Sequence, residues 1–159
     1  MEKKLSKEEE FMRVPFSGGC ACGALRYECS AEPMLSWKCH CRDCQRACGS
    51  AFYAVLYVPK EVLSITGESK YYDMKGGSGA TVSRGFCPQC GSPVLAKASG
   101  WPEFMAVCAA SLDDPSWFSP VVDIWTSSAQ PWDYLNPHSS KYARQPTPEE
   151  FQVLLTSRG

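Results

Sequence analysis

The sequence has no excess of charge of either sign. With 16 Lys and Arg against 17 Asp and Glu its formal net charge is -1. No overall field therefore draws the chain to DNA, RNA or anionic lipid, and the basic stripe of a zinc-ribbon nucleic-acid binder is missing. No apolar run is long enough to span a bilayer. The opening stretch MEKKLSKEEEFMRVPF lacks the apolar segment of a signal peptide. Internal repeats and low-complexity linkers are also absent. These absences predict a cytoplasmic protein with neither nucleic-acid nor membrane partners. At 159 residues the chain can bury one core and is too short for two.

Cysteine is abundant: there are ten. In a reducing cytosol thiols stay free, so clustered cysteines argue for metal ligation or thiol chemistry rather than a disulfide framework.

Between the cysteines the pattern is that of short strands. Alternation and β-branched or aromatic enrichment predict them at ALRYEC (24–29), MLSWKC (34–39), AFYAVLYV (51–58) and SKYYDM (69–74). More are expected at ATVSRGF (80–86), PVLAK (93–97), EFMAVCAA (103–110) and VVDIWT (121–126). Gly18-Gly19, Gly76-Gly77, Pro88, Gly100 and Asp113-Asp114-Pro115 read as the turns between them. The expected fold is mainly β, built of antiparallel hairpins. One helix is expected at the end, where TPEEFQVLLTSRG offers Thr147 as N-cap, Pro148 at the first position and Glu150 to complete a capping box. Phe151, Leu154 and Leu155 then share a face suited to docking on the core. The charged first ten residues read as a solvated or frayed end.

By spacing the cysteines fall into three groups: Cys20-x-Cys22, Cys39-x-Cys41-x-x-Cys44 and Cys87-x-x-Cys90. A C-x-x-C followed by glycine is a zinc knuckle: a tight turn aims both sulfurs at one point, and Gly91 takes the positive φ that follows. In an extended segment residues i and i+2 face the same way, so Cys20 and Cys22 supply a second pair. Cys20, Cys22, Cys87 and Cys90 together would make a closed tetrahedral thiolate site of the structural kind. Cys39, Cys41 and Cys44 can converge as a trio with one metal position open, where a bound thiol would lose its proton at neutral pH. His40 lies between two of these and competes for the open position, although an extended backbone points it to the opposite face, which favours a packing or supporting role over ligation. Cys48, four residues past Cys44, could instead close the site and make it structural. Cys29 and Cys108 read as small buried hydrophobes.

GGCACGALRYEC, CHCRDCQRACGSAF and GFCPQCGSPV, in that order, resemble the glutathione-dependent formaldehyde-activating enzyme family, also called the centromere protein V/GFA domain family, over about Phe16 to Trp132. The resemblance implies a beta-tent zinc fold with a structural Zn2+ at Cys20, Cys22, Cys87 and Cys90. It also implies a second metal or thiol site at Cys39, Cys41 and Cys44. The implied activity is the condensation of glutathione with formaldehyde to S-hydroxymethylglutathione, formally a carbon–sulfur lyase reaction in reverse, with a small-molecule thiol and an aldehyde as partners. A charged extension at 1–15, a zinc domain at 16–135 and a helical tail at 136–159 packing on it follow from the same reading. Asp123 and Ile124 occupy the region where members of that family often carry a histidine-containing strand before a Pro-Trp or similar pair, so the resemblance does not extend to that histidine.

Glutathione has two carboxylates, so its pocket should offer cations. Lys38, Arg42 and Arg46 flank the trio and are the expected contacts, with Arg84 as a further candidate. Of Trp37, Phe52, Tyr53, Trp101, Trp125 and Trp132, about two are expected to line the cleft. The competing reading is a non-catalytic zinc-stabilised binding module of the same fold. Thiol–disulfide exchange at Cys41/Cys44 or Cys87/Cys90 is a further possibility, disfavoured by the third cysteine beside the middle pair.

Overall fold

The computed structural model describes residues 14–157; the charged first ten residues lie outside that range. Eleven strands and two α-helices are present among the described residues. The strands are β1 (Phe16–Gly19), β2 (Arg26–Cys29), β3 (Leu35–Cys39), β4 (Tyr53–Pro59), β5 (Leu63–Thr66) and β6 (Lys70–Lys75). Then come β7 (Thr81–Phe86), β8 (Pro93–Ala98), β9 (Phe104–Cys108), β10 (Val122–Ile124) and β11 (Ser140–Tyr142). The helices are α1 (Arg42–Cys48) and α2 (Pro148–Thr156).

A small antiparallel sheet, β1-β2-β5, covers one face of an eight-stranded sheet of order β11-β10-β3-β4-β9-β8-β7-β6. The alternation within the central strands feeds two cores. Leu56, Val58, Leu95 and Val107 turn toward the small sheet and meet Phe16, Leu25 and Tyr27. Trp37, Cys39, Tyr53, Val55 and Ala106 turn the other way, toward α2.

All eight expected strands are present, within one to two residues at most ends. Antiparallel pairing runs from β3 through β6, as hairpins require. Beyond β3 the pattern changes, because β10 pairs in parallel with both β3 and β11. Parallel pairing needs a long return connection, which local alternation cannot report.

Three short strands were not legible: β1, β5 and β11. β1 contains the Gly18-Gly19 pair expected to be a turn. Its glycines serve close approach instead, for a Cβ on Gly18 would lie 2.3 Å from both the Ser111 carbonyl oxygen and the Tyr27 hydroxyl.

α2 forms as its sequence dictates. The Thr147 hydroxyl accepts from the Glu150 N–H at 3.2 Å, and the Glu150 carboxylate accepts from the Thr147 N–H at 2.8 Å. Phe151 and Leu154 are buried, and the Phe151 ring stacks on Trp101 at 4.1 Å between centroids. Thr147→Ala should cost about 1 kcal/mol through the lost cap. Urea unfolding would detect it as a lower midpoint, and an unchanged midpoint would mean that tertiary packing alone holds the helix.

Candidate metal centres

The first cluster joins the two sheets. Cys20 follows β1, and the Cys87–Cys90 knuckle forms the turn between β7 and β8. The Sγ atoms of Cys20, Cys22, Cys87 and Cys90 all lie within 4.8 Å of one another. Cys22 Sγ is 3.6 Å from Cys20 Sγ and 3.7 Å from Cys87 Sγ. The knuckle closes through the Gly91 N–H, which donates to the Cys87 carbonyl at 2.8 Å, and Gly91 has φ 76°.

Thiolates are already stabilised at this point. The Leu25 N–H donates to Cys20 Sγ at 3.2 Å, and the Ser92 hydroxyl lies 3.2 Å from Cys90 Sγ. Hydrogen bonds from the Ser92 hydroxyl and backbone N–H hold Cys90 down at about 5. Cys22, despite the Ala24 N–H, is pushed up to about 11 by the neighbouring Cys20. Thiols crowded together titrate one at a time in this way, and a dication in their midst removes the conflict. Four convergent sulfurs with backbone donors on them are a donor set that fits zinc.

The second cluster is built by the end of β3 and the start of α1. Cys39 Sγ, Cys41 Sγ and Cys44 Sγ lie within 4.8 Å of one another. Cys41 is the N-cap of α1, and its sulfur accepts from the Cys44 N–H at 3.4 Å. Arg84 Nη2, from β7, donates to Cys44 Sγ at 3.6 Å. Cys41 is the first of the three to ionise: hydrogen bonds from Cys39 and Cys44 hold it down at about 2, with the Arg84 charge assisting. Cys39 is pushed well up by the other two sulfurs.

Gln45 locks this segment in place. It is buried in α1, and its Nε2 donates to the carbonyls of His40 at 2.6 Å and Ser128 at 3.0 Å. Its Oε1 accepts from Gln130 at 3.0 Å and from Arg42. Nothing in its local sequence marks it, although burial of an amide on a short polar helix is explicable only by such a network.

All three sulfur-bearing residues line a cavity of about 540 Å³; none of the first cluster does. Trp37, Tyr53, Trp101 and Trp125 line it as well, more than the two aromatics expected. Phe52 instead packs beside His40, and Trp132 is exposed. The backbone of Trp125 is left-handed, with φ 57°. Its indole Nε1 donates to Gln145 Oε1 at 3.4 Å, and it packs against Gly77 in the β6–β7 turn. A bulky residue held in that conformation marks a site where tertiary contacts overrule local preference.

The flanking cations separate. Arg42 and Arg84 line the cavity, whereas Lys38 and Arg46 do not. Lys38 neighbours Cys39 on a strand and so faces the other way, where its Nζ lies 3.3 Å from Asp123 Oδ1. Arg46 is exposed on α1. Arg84 shares a strand face with Val82, also in the cavity lining; an arginine on an inward strand face was the signal that could have ranked it first.

His40 and Cys48 stay out of the cluster. His40 is fully buried on the far side, with Nε2 2.7 Å from Asp123 Oδ1 and Nδ1 3.7 Å from Asp133 Oδ2. Asp123, in the region where the resemblance points to a histidine in other members, is thus the partner of the histidine inside the cysteine motif. Cys48 Sγ donates to the Phe52 carbonyl at 3.2 Å. Cys29 and Cys108 are buried, as their strand context predicts.

Fold and site define a mainly β protein with two cysteine clusters that could each hold a metal ion, one between sheets and one on a cavity. The chain belongs to the glutathione-dependent formaldehyde-activating enzyme family, whose profile matches residues 15–128. Among curated proteins none matches significantly. The crystal structure of a Rhodobacter sphaeroides protein superposes with a TM-score of 0.49 at 20% identity, over 79% of this chain and 98% of that one. No helix among the described residues is long and apolar enough to cross a membrane.

Proposed function

We propose that this protein adds glutathione, or a similar small thiol, to an aldehyde carbonyl at the Cys39/Cys41/Cys44 site, while Cys20, Cys22, Cys87 and Cys90 hold a structural zinc. The observation that carries this reading is the contrast between the clusters. Four sulfurs close on themselves between two sheets, whereas three converge on the wall of a cavity large enough for a tripeptide. Residues 16–135 are the zinc domain in this reading, and the tail 136–159 completes the cavity through Pro146 and Pro148. The reaction belongs to a reducing cytosol, where glutathione is abundant and the ten thiols stay reduced.

Cys39, Cys41 and Cys44 would hold a second zinc, which supplies the Lewis acidity that lowers the pKa of an incoming thiol. The rest falls to the chain. Arg42, its guanidinium fixed by Gln45, stands at the cavity to pair with a glutathione carboxylate. Arg84 directs one nitrogen at Cys44, and its Nη1 is buried with no hydrogen-bond partner. An unpaired buried donor is costly, and an arriving carbonyl oxygen relieves it. As sulfur bonds to carbon, the C=O pair moves onto that oxygen, so the Arg84 contact strengthens in the transition state. The same cation beside Cys44 favours thiolate over thiol in the site.

The cavity is also what disfavours a purely structural module, since a metal site needed only for stability has no use for an opening lined by two arginines. The test is exchange spectroscopy by NMR on glutathione and formaldehyde, with the zinc-loaded protein at neutral pH. Acceleration above the spontaneous rate is expected at catalytic concentrations; a rate equal to the spontaneous one would sink the reading.

A further inference from the structure

We infer that the electrophile taken by this cavity carries an aromatic group, so that an aromatic aldehyde rather than formaldehyde is its fitting substrate class; the inference rests on the thiol-addition reading above.

The sheet register sets the shape of the cavity. Tyr57 pairs with Ala106, Ala106 with Ala96, and Ala96 with Arg84, so these side chains stand in one row across β4, β9, β8 and β7. Adjacent strands are about 4.8 Å apart, so three intervals separate Tyr57 from Arg84 by roughly 14 Å. Between them the row itself carries only two methyl groups, both in the cavity lining, which we take as its floor. Any larger residue at 96 or 106 would occupy the hollow.

The wall beside the floor is built of aromatic rings tilted on one another. Trp37 stands 4.8 Å from Tyr57 and 6.2 Å from Trp101 between ring centroids. Trp101 is fixed in plane by Phe151, stacked on it at an interplanar angle of 13°. At these spacings the rings already touch one another and form one aromatic wall, whose cavity side can meet a further ring in offset or edge contact. Of the charged residues in the lining, Arg84 touches Cys44 and Arg42 and Asp43 follow Cys41, while Lys97 turns its Nζ over the Tyr71 ring at 4.4 Å. A thiol with polar substituents belongs at the trio end.

Formaldehyde would leave the hollow to water, since its one carbon reaches neither wall. An aromatic aldehyde with its carbonyl oxygen at Arg84 Nη1 directs its ring along the alanine floor toward Tyr57. The thiolate sulfur then bonds to the aldehyde carbon, the carbonyl π pair moves to oxygen, and the alkoxide takes a proton from solvent to give the hemithioacetal. The proton lost by the thiol goes to solvent, so the addition needs no oxidant or reductant.

Two stable adduct mimics test this by isothermal titration of the zinc-loaded full chain: S-benzylglutathione for the aromatic adduct and S-methylglutathione for the formaldehyde one. The benzyl compound should bind about tenfold tighter or better, from the apolar area buried by its ring. Ala96→Leu should abolish that preference, bringing the benzyl-to-methyl affinity ratio to about one, and Ala106→Val serves the same purpose should Ala96→Leu fail to fold. Equal binding of the two mimics to the wild type, or a preference that survives a filled floor, overturns the inference. Benzyl mercaptan separates it from the reading beneath. Binding of benzyl mercaptan that a filled floor abolishes, with neither glutathione conjugate bound, would remove glutathione and leave the aromatic subsite standing. No binding by any of the three overturns both.

Discussion

Cys87→Ser is expected to yield protein that neither retains the structural metal nor folds. Cys87 is fully buried and its sulfur meets Cys22 across 65 residues of chain, so the cluster ties the small sheet to the large one. Structural zinc contributes about 10–16 kcal/mol of apparent binding free energy to small domains at neutral pH, and an ordinary domain has only about 5–15 kcal/mol of stability in all. A hydroxyl is a poor replacement for a thiolate ligand, and here it would also be buried. Zinc content and far-ultraviolet circular dichroism, measured together, should fall together, and strong chelators should reproduce the effect in the wild type. Soluble Cys87→Ser with the full metal content of the wild type would show that the four sulfurs are not the metal's ligands.

Cys41→Ser should do the opposite, losing chemistry and keeping the fold. Its sulfur faces a cavity, and the segment carrying it is held by contacts that do not need that sulfur. The His40 N–H donates to the Ile124 carbonyl at 3.0 Å, Gln45 bonds the surrounding loops, and β3 is paired on both sides. Cys41 is also the sulfur most readily ionised of the three. Loss of an outer partner of a metal site costs roughly 10–100-fold in affinity or activity, so loss of a direct ligand should bring turnover down to the spontaneous rate. Elemental analysis should find one zinc fewer than in the wild type, with the protein still folded and its unfolding midpoint lowered only by the linkage of the lost metal. Retained turnover would place the reaction elsewhere, and an unfolded variant would make the trio structural.

The two substitutions differ because equal chemistry sits in unequal surroundings. Both clusters are thiolate sets of similar spread, yet one ties two sheets together with Cys22 and Cys90 at the surface, and the other lines a cavity. The spacing of the cysteines distinguishes four ligands from three. It says nothing of what covers them.

What the sequence by itself determined is the part governed by local geometry. Period-two alternation laid out eight of the strands, the C-x-x-C-G turn with its positive φ made the knuckle, and Thr147 with Glu150 began the last helix. These depend on contacts within a few residues, so their residues suffice. The same period of two also sends Lys38 away from Cys39, although proximity in sequence had grouped it with Arg42 as a thiol-binding cation. Tertiary structure alone decided the parallel docking of β10, the pairing of His40 with Asp123, and the arrival of Arg84 at Cys44 from a strand forty residues on. It also set two alanines from separate strands side by side as a floor. Each of these is a meeting of distant segments in one sheet, and sheet order is fixed by the summed burial of both faces, which no short stretch of chain encodes.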